Sequence, residues 1–230
     1  GLHLNRPELG KAKYYDTLFL QVVQHITKKS EIQDLKLFTE AGSERMNDID
    51  FVSELLVGIM YGITDKKLKV DVVFEEDIDR KKAKELEYRF MEIINIFKMM
   101  NDEYPIKNTR YRQRNDFYTL FLLFHDLNVD VDVALYMYRV LRFIGPEISP
   151  SQENCVTLKN YAIACVTQSN GKTARETRRN IMNGLLFNVC NIPTPEQKDV
   201  LDFWKLDNTA IRKIGEYYTF DLDVLSKIEV

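Results

Sequence analysis

Apolar residues recur at three- and four-residue steps over most of this chain. That spacing gathers on one face of an α-helix, whereas a strand repeats every second residue. Met46, Ile49, Val52, Leu56, Ile59 and Ile63 form one such series, with Ser43 placed to cap the helix that carries it. Leu86, Phe90, Ile93, Ile94, Phe97 and Met100 form a second, with Asp77 as its cap. It ends before Tyr104-Pro105, because a residue preceding proline avoids the α region. Further helices are expected from about Asn115 to Asp126, Asp130 to Phe143, Ser151 to Thr167 and Thr173 to Val189, with Gly145-Pro146 stopping the second of these. Upstream, Pro7 suits a first helical turn, where its missing N–H is no loss, and a helix or helix pair runs to about Thr27.

Thr194-Pro195-Glu196-Gln197 reads as an N-cap, a first-turn proline and a capping-box glutamine. The helix behind it carries Val200, Leu201 and Trp204. Asp207 or Asn208 is expected to cap another, with Ile211, Ile214 and Tyr218 inward, and a short terminal helix to carry Leu222, Leu225 and Ile228. One stretch reads as a strand, Lys69 to Phe74. A lone strand leaves its ladder groups unmet, so an extended connector is expected within a loop from Thr64 to Glu76. Glycine and proline are scarce, at 9 and 6, so little interrupts the helices. The expected fold is all-α: a multi-helix bundle, mostly one domain over residues 1–230, with at most one short extended segment. A weak seam is expected near Gly145 to Ser151.

Composition narrows the function classes. The chain has 230 residues, 45% of them hydrophobic and 29% charged, as in ordinary globular proteins. A net charge of −3 excludes a polycation that coats nucleic acid by charge alone, so any nucleic-acid surface has to be a local patch. Cys155, Cys165 and Cys190 are odd in number and form no CxxC pair, against a disulfide scaffold or a zinc ribbon. A reduced, cytoplasmic setting fits them best. No run approaches the ~18 apolar residues of a membrane span, and no membrane partner is expected. The chain starts at Gly1 and not at Met, and is read as a fragment or processed piece of a longer protein.

The stretch from Cys165 to Asn180 poses a question of chemistry. Its Gly171-Lys172-Thr173 resembles the end of a phosphate-binding loop. The first glycine of that motif, G-x-x-x-x-G-K-[ST], would fall at Val166, and valine does not take the conformations the loop needs. Asn170-Gly171 reads instead as a turn, and Thr173-Ala174-Arg175-Glu176 as a capping box. Lys172, Arg175, Arg178 and Arg179 then crowd the first turns of a helix, against its dipole. Either an anion compensates them there or they form a solvated face. Arg110, Arg112 and Arg114, with Tyr111 between them, suit a nucleic-acid backbone and a stacked base, or packing against acidic helices such as the one at Glu75-Glu76-Asp77. Arg175, Arg178, Arg179, Arg110, Arg112 and Arg114 are therefore the candidate nucleic-acid contacts.

His125-Asp126 is similar to the His-Asp pair of helical metal phosphohydrolases, but no further ligand set accompanies it. No G-x-S-x-G, H-E-x-x-H or G-x-G-x-x-G occurs. The sequence calls for no cofactor, no metal and no catalytic residue.

"LNRPELGKAKYYDTLF", Leu4 to Phe19, resembles a segment of the GmrSD-type restriction-endonuclease N-terminal family, which reads roughly L-N-x-Q-E-L-R-x-A before an aromatic-rich turn. "ERMNDIDFVSELL", Glu44 to Leu56, resembles that family's R-M-x-D-x-E-x-V-x-x-L-L. Leu4, Asn5, Glu8, Leu9 and Ala12 match the first, and Arg45, Met46 and Asp48 the second. Pro7, Gly10 and Asp50 depart from Gln, Arg and Glu. The family's ParB-like half, with its D-G-Q-Q-R-type signature, lies upstream of these motifs and is absent here, as is the downstream His-Asn-His nuclease module. The resemblance implies the helical portion of a nucleotide-dependent DNA restriction or phage-defence nuclease. This piece would support the ParB-like half and bind DNA or a partner, without cleaving anything itself. The ParB-like half of the same protein, DNA and a second copy of the chain are the implied partners. Arg45 and Asp48 would be a structural buttress or a local bridge one helical turn apart. The alternative is a helical scaffold that binds only protein.

Overall fold

The computed structural model describes residues 13–39, 41 and 46–228. Pro7 and Ser43, both expected at helix starts, lie outside them. The described residues are mostly helical, with one short two-strand hairpin, which is the fold class expected of an all-α chain. The chain divides into two compact units, Gly1–His125 and Asp126–Val230.

In the first unit the helices are α1 (Leu18–Thr27), α2 (Ser30–Asp34), α3 (Asn47–Tyr61), α4 (Lys66–Glu76), α5 (Arg80–Glu103) and α6 (Arg114–Leu127), whose last residues pass the unit boundary. Helix α5 packs against α1, α2 and α3. The apolar stripe read from the sequence is its buried face: Leu86, Phe90, Ile93, Ile94, Phe97 and Met100 are all inside. Phe97 stacks on Phe117 of α6 at 4.3 Å, with Phe121 and Phe124 close by. Helix α3 approaches α6 so closely at Gly58 that a Cβ there would meet Leu122 Cδ2 at 2.7 Å.

Two expectations for this unit are corrected. Lys69 to Phe74 is not an extended connector but the body of α4. Val70, Val73 and Phe74 are buried, and their steps of three and one fit a helical face as well as the alternation fits a strand. Packing against α3 and α1 decides between the two readings. Asp77 does not cap α5; Asp79 does, accepting from Lys82 N at 2.8 Å. Asp77 ends α4 in the left-handed region, φ 58°, with its amide bonded to Val73 O. Its carboxylate reaches back to accept from Leu18 N at 3.0 Å and Phe19 N at 2.9 Å, the free amides that open α1.

The second unit contains α7 (Val131–Ile144), α8 (Val156–Val166), α9 (Lys172–Leu186), α10 (Pro195–Phe203), strands β1 (Ile211–Ile214) and β2 (Tyr217–Phe220), and α11 (Leu222–Leu225). Helices α8, α9 and α10 pack on one another, and β2 lies against α9. The capping box at α10 forms as read: Thr194 Oγ1 accepts from Gln197 N, and Gln197 Oε1 accepts from Thr194 N.

Three expectations here are corrected. Helix α8 begins at Val156 and not at Ser151, where Asp199 of α10 accepts from Thr157 N at 2.6 Å. Helix α9 begins at Lys172, capped by the Gly171 position with no side-chain bond. Thr173 is thus already inside the first turn, and its capping box with Glu176 does not form; Glu176 pairs with Lys172 instead. The segment after Asp207 is not a helix. Asp207 caps a single 3₁₀ turn, Asn208–Ala210, and β1 and β2 then pair antiparallel with Ile211 opposite Phe220 and Ile214 opposite Tyr217. Gly215, φ 59°, opens the two-residue turn between them, the place where a type II′ hairpin needs glycine.

Candidate nucleic-acid interface

The six arginines chosen from the sequence occupy two places, and each is described within its own unit. Arg110, Arg112 and Arg114 lie around the start of α6, after the 3₁₀ turns Ile106–Asn108 and Arg110–Arg112. Arg110 holds Asp116 with two bonds, Nε to Oδ1 at 3.1 Å and Nη2 to Oδ2 at 3.3 Å. The Asp116 side chain is fully buried, so this pair neutralises a carboxylate that water does not reach. Arg114 Nη2 bonds Asp50 at 2.7 Å and Glu54 at 3.3 Å on α3, and its guanidinium lies over the Phe51 ring at 4.8 Å. Tyr111, the interleaved aromatic, is buried and offers no platform for a base. Arg112 remains exposed, beside exposed Lys107, Asn108 and Gln113.

Arg175, Arg178 and Arg179 lie on α9. Arg178 has no exposed surface. It donates from Nη1 to Ala164 O, and from Nη1 and Nη2 to Ser169 O, both at 3.0 Å. Ala164 is in the last turn of α8, and Ser169 is in the turn that follows it. Compensating negative partial charge at the start of α9 is therefore present without a ligand: it comes from the carbonyls of the last turn of α8 and of the turn after it. Arg175 is 2% exposed. Arg179 donates to Asp126 Oδ2 from Nε at 3.1 Å and from Nη2 at 2.9 Å. With the exception of Arg112, the candidates are engaged in or buried by the fold; Arg114 and Arg179 keep 38% and 31% of their side chains exposed but are ion-paired.

The remaining chemistry follows the same course. His125 and Asp126 turn to different partners. Arg89 Nε donates to His125 Nδ1 at 3.0 Å, and Asp126 is held by Arg179. Cys155 is buried and donates to Asp199 Oδ2 at 3.4 Å; burial first, and the nearby carboxylate after it, push its thiol up to about 12. It is a core thiol and not a nucleophile at neutral pH. Cys165 is also buried, and Cys190 is exposed. Among the described residues no group of three or more His, Cys, Asp or Glu side chains converges to hold a metal. No described helix is long and apolar enough to cross a membrane.

Two features escaped the sequence reading. Gln197 sits at the centre of a buried polar network. Its amide donates to Leu185 O at 3.0 Å and Tyr218 O at 2.8 Å, and its Oε1 accepts from Asn188 Nδ2 and Thr194 N. The capping box accounts for part of this, but only the tertiary fold brings Tyr218 and Leu185 to the same side chain. The second feature is an exposed apolar face on α8: Val156, Ile163 and Val166 are 60%, 38% and 68% exposed, while Leu158, Tyr161, Ala162 and Cys165 are buried. A signal for it was present, because Val156, Ile163 and Val166 lie on the side of α8 that also carries Lys159 and Asn160, away from Leu158, Tyr161, Ala162 and Cys165.

Of the residues matched to the restriction-endonuclease family, Leu4, Asn5, Glu8, Leu9, Ala12 and Arg45 lie outside the described residues, as do Pro7 and Gly10. Met46 stands at the N-cap of α3 with φ 57°. Asp48 Oδ1 accepts from Ile49 N at 2.8 Å, and Asp50 is the partner of Arg114. Compared with family models, curated proteins and solved structures, the chain matches none of them.

Proposed function

We propose that this chain is a helical accessory module of a cytoplasmic restriction or phage-defence nuclease, and that it works by holding a protein partner, the ParB-like half of that enzyme. The single observation that carries the partner reading is the outer face of α8, where Val156, Ile163 and Val166 stand in water around exposed Asn160. Three apolar side chains on one face favour a protein contact over a phosphate contact. The nuclease class rests on the motif resemblance. The test is calorimetric titration of the chain with a ParB-like domain of this class. Val156→Asp with Val166→Asp is expected to weaken binding at least about tenfold, the effect of losing roughly 1.4 kcal/mol, with thermal melting unchanged. Equal binding by the variant and the parent chain overturns the α8 assignment.

A second reading, direct DNA contact, is favoured by Arg112 and Lys107, which stay exposed on the connection between α5 and α6. It requires duplex binding that weakens steeply with salt. Filter binding that is flat across a salt series, or unchanged by Arg112→Glu, removes it.

A further inference from the structure

His125 stands in the last turn of α6, the final residue of the first unit. Its Nδ1 accepts a hydrogen bond from Arg89 Nε at 3.0 Å, and its backbone carbonyl accepts one from Arg89 Nη2 at 2.8 Å. Arginine has donors only and keeps its charge throughout the accessible pH range. The side-chain bond therefore has one polarity. A ring nitrogen that accepts carries no proton, so the imidazole is neutral with its hydrogen on Nε2.

We propose that Arg89 and His125 form a proton-operated latch on the C-terminal turn of α6, closed when the imidazole is neutral and opened when it takes up a proton. The proton adds at Nδ1, where the lone pair now accepts. Two donors then face each other at hydrogen-bond distance, and two positive charges meet. The same guanidinium also caps the His125 carbonyl, one of the helix-end acceptors that lack an intrahelical partner. Losing the side-chain bond thus loosens the helix end at the residue where the chain leaves the first unit. Two carboxylates adjoin the pair, and both are engaged. Glu92 of α5 accepts from Arg89 Nη1 at 3.2 Å and also bonds the Tyr88 hydroxyl, whose titration it pushes upward. Asp126, next on α6, accepts from Arg179. Histidine changes charge between pH 5 and 8, so a latch built on it responds within the physiological range, unlike one built on a carboxylate.

The sign of the linkage is definite. A closed state that needs the neutral imidazole is favoured at high pH, and its advantage is lost as pH falls through the midpoint. The test is an NMR titration of the His125 ring from pH 8 to pH 5, followed together with hydrogen exchange at the amides of Phe124 to Leu127. The wild-type midpoint is expected below that of Arg89→Gln, where the opposing charge is gone. Exchange at the helix end, corrected for its intrinsic pH dependence, is expected to speed up about tenfold across the wild-type midpoint, the factor that one unit of displacement represents. His125→Asn keeps an acceptor near the Nδ1 position and does not titrate, so its exchange is expected to stay level. The latch is refuted by equal midpoints in wild type and Arg89→Gln, or by a wild-type helix end whose corrected exchange ignores pH. If Arg89→Gln fails to fold, the comparison of wild type with His125→Asn decides alone.

Discussion

Arg178 shows what a basic residue near a helix start does when it is buried. Its guanidinium satisfies the carbonyls of Ala164, in the last turn of α8, and Ser169, in the turn beyond, and no solvent reaches it. Replacing it with methionine keeps much of the packing volume but leaves those acceptors without a charged donor. Arg178→Met is expected to cost about 1.5–3 kcal/mol, the range for hydrogen bonds to charged groups, read as a lower urea midpoint. Arg112→Glu, at an exposed site, is expected to stay within about 0.5 kcal/mol of the parent. The two arginines look alike in the sequence. What separates them is which neighbours the fold brings within 3 Å, and a run of basic letters does not contain that.

Local caps and distant caps divide at the scale of the element. The α10 capping box was legible because all its groups lie within four residues. Helix α1 has a local cap too, Thr17 Oγ1 accepting from Leu20 N at 3.3 Å, but the acceptors that meet Leu18 N, Phe19 N and Thr157 N were not legible, because Asp77 and Asp199 reach them from distant parts of the chain. Asp77 is the more consequential of the two. It ends α4, accepts two amides of α1, and stands beside Glu75, which Lys13 and Tyr14 both bond. Those two donors, Lys13 first, hold the Glu75 carboxyl below its ordinary range. Asp77→Ala is expected to cost about 1–2 kcal/mol, as for loss of an N-cap, with added strain from alanine at positive φ. Asp77→Asn, which tolerates that backbone and keeps one acceptor, is expected to cost less; thermal melts of the two variants check the order. The hairpin was missed for a related reason. Ile211, Ile214 and Tyr218 satisfy a helical spacing, but Gly215 in the left-handed region and the aromatic and β-branched run of β2 favour a turn between strands.

Each of the two units has its own apolar centre at the scale of the whole molecule. Phe97, Phe117, Phe121 and Phe124 form the aromatic heart of the first. Trp204, the single tryptophan, lies in the second against Phe220 at 5.9 Å. Phe97→Ala removes a fully buried ring and is expected to cost about 3–5 kcal/mol. Far-UV circular dichroism reports the helices of both units, and tryptophan fluorescence reports the second alone. The expected outcome is an early loss of ellipticity while the fluorescence transition stays in place. Coincident transitions in the variant would mean that the two units unfold as one.

The amino-acid sequence by itself determined the helical class, the buried stripe of α5, the α10 capping box and the terminal helix, because each depends on neighbours within one or two turns. Tertiary structure decided whether Lys69 to Phe74 coils or extends, where α8 and α9 begin, and which arginines remain in water. Those outcomes depend on carbonyls, carboxylates and apolar faces that are distant along the chain. Periodicity records which side of an element is apolar, but a charge acquires its role only from the groups that folding sets against it.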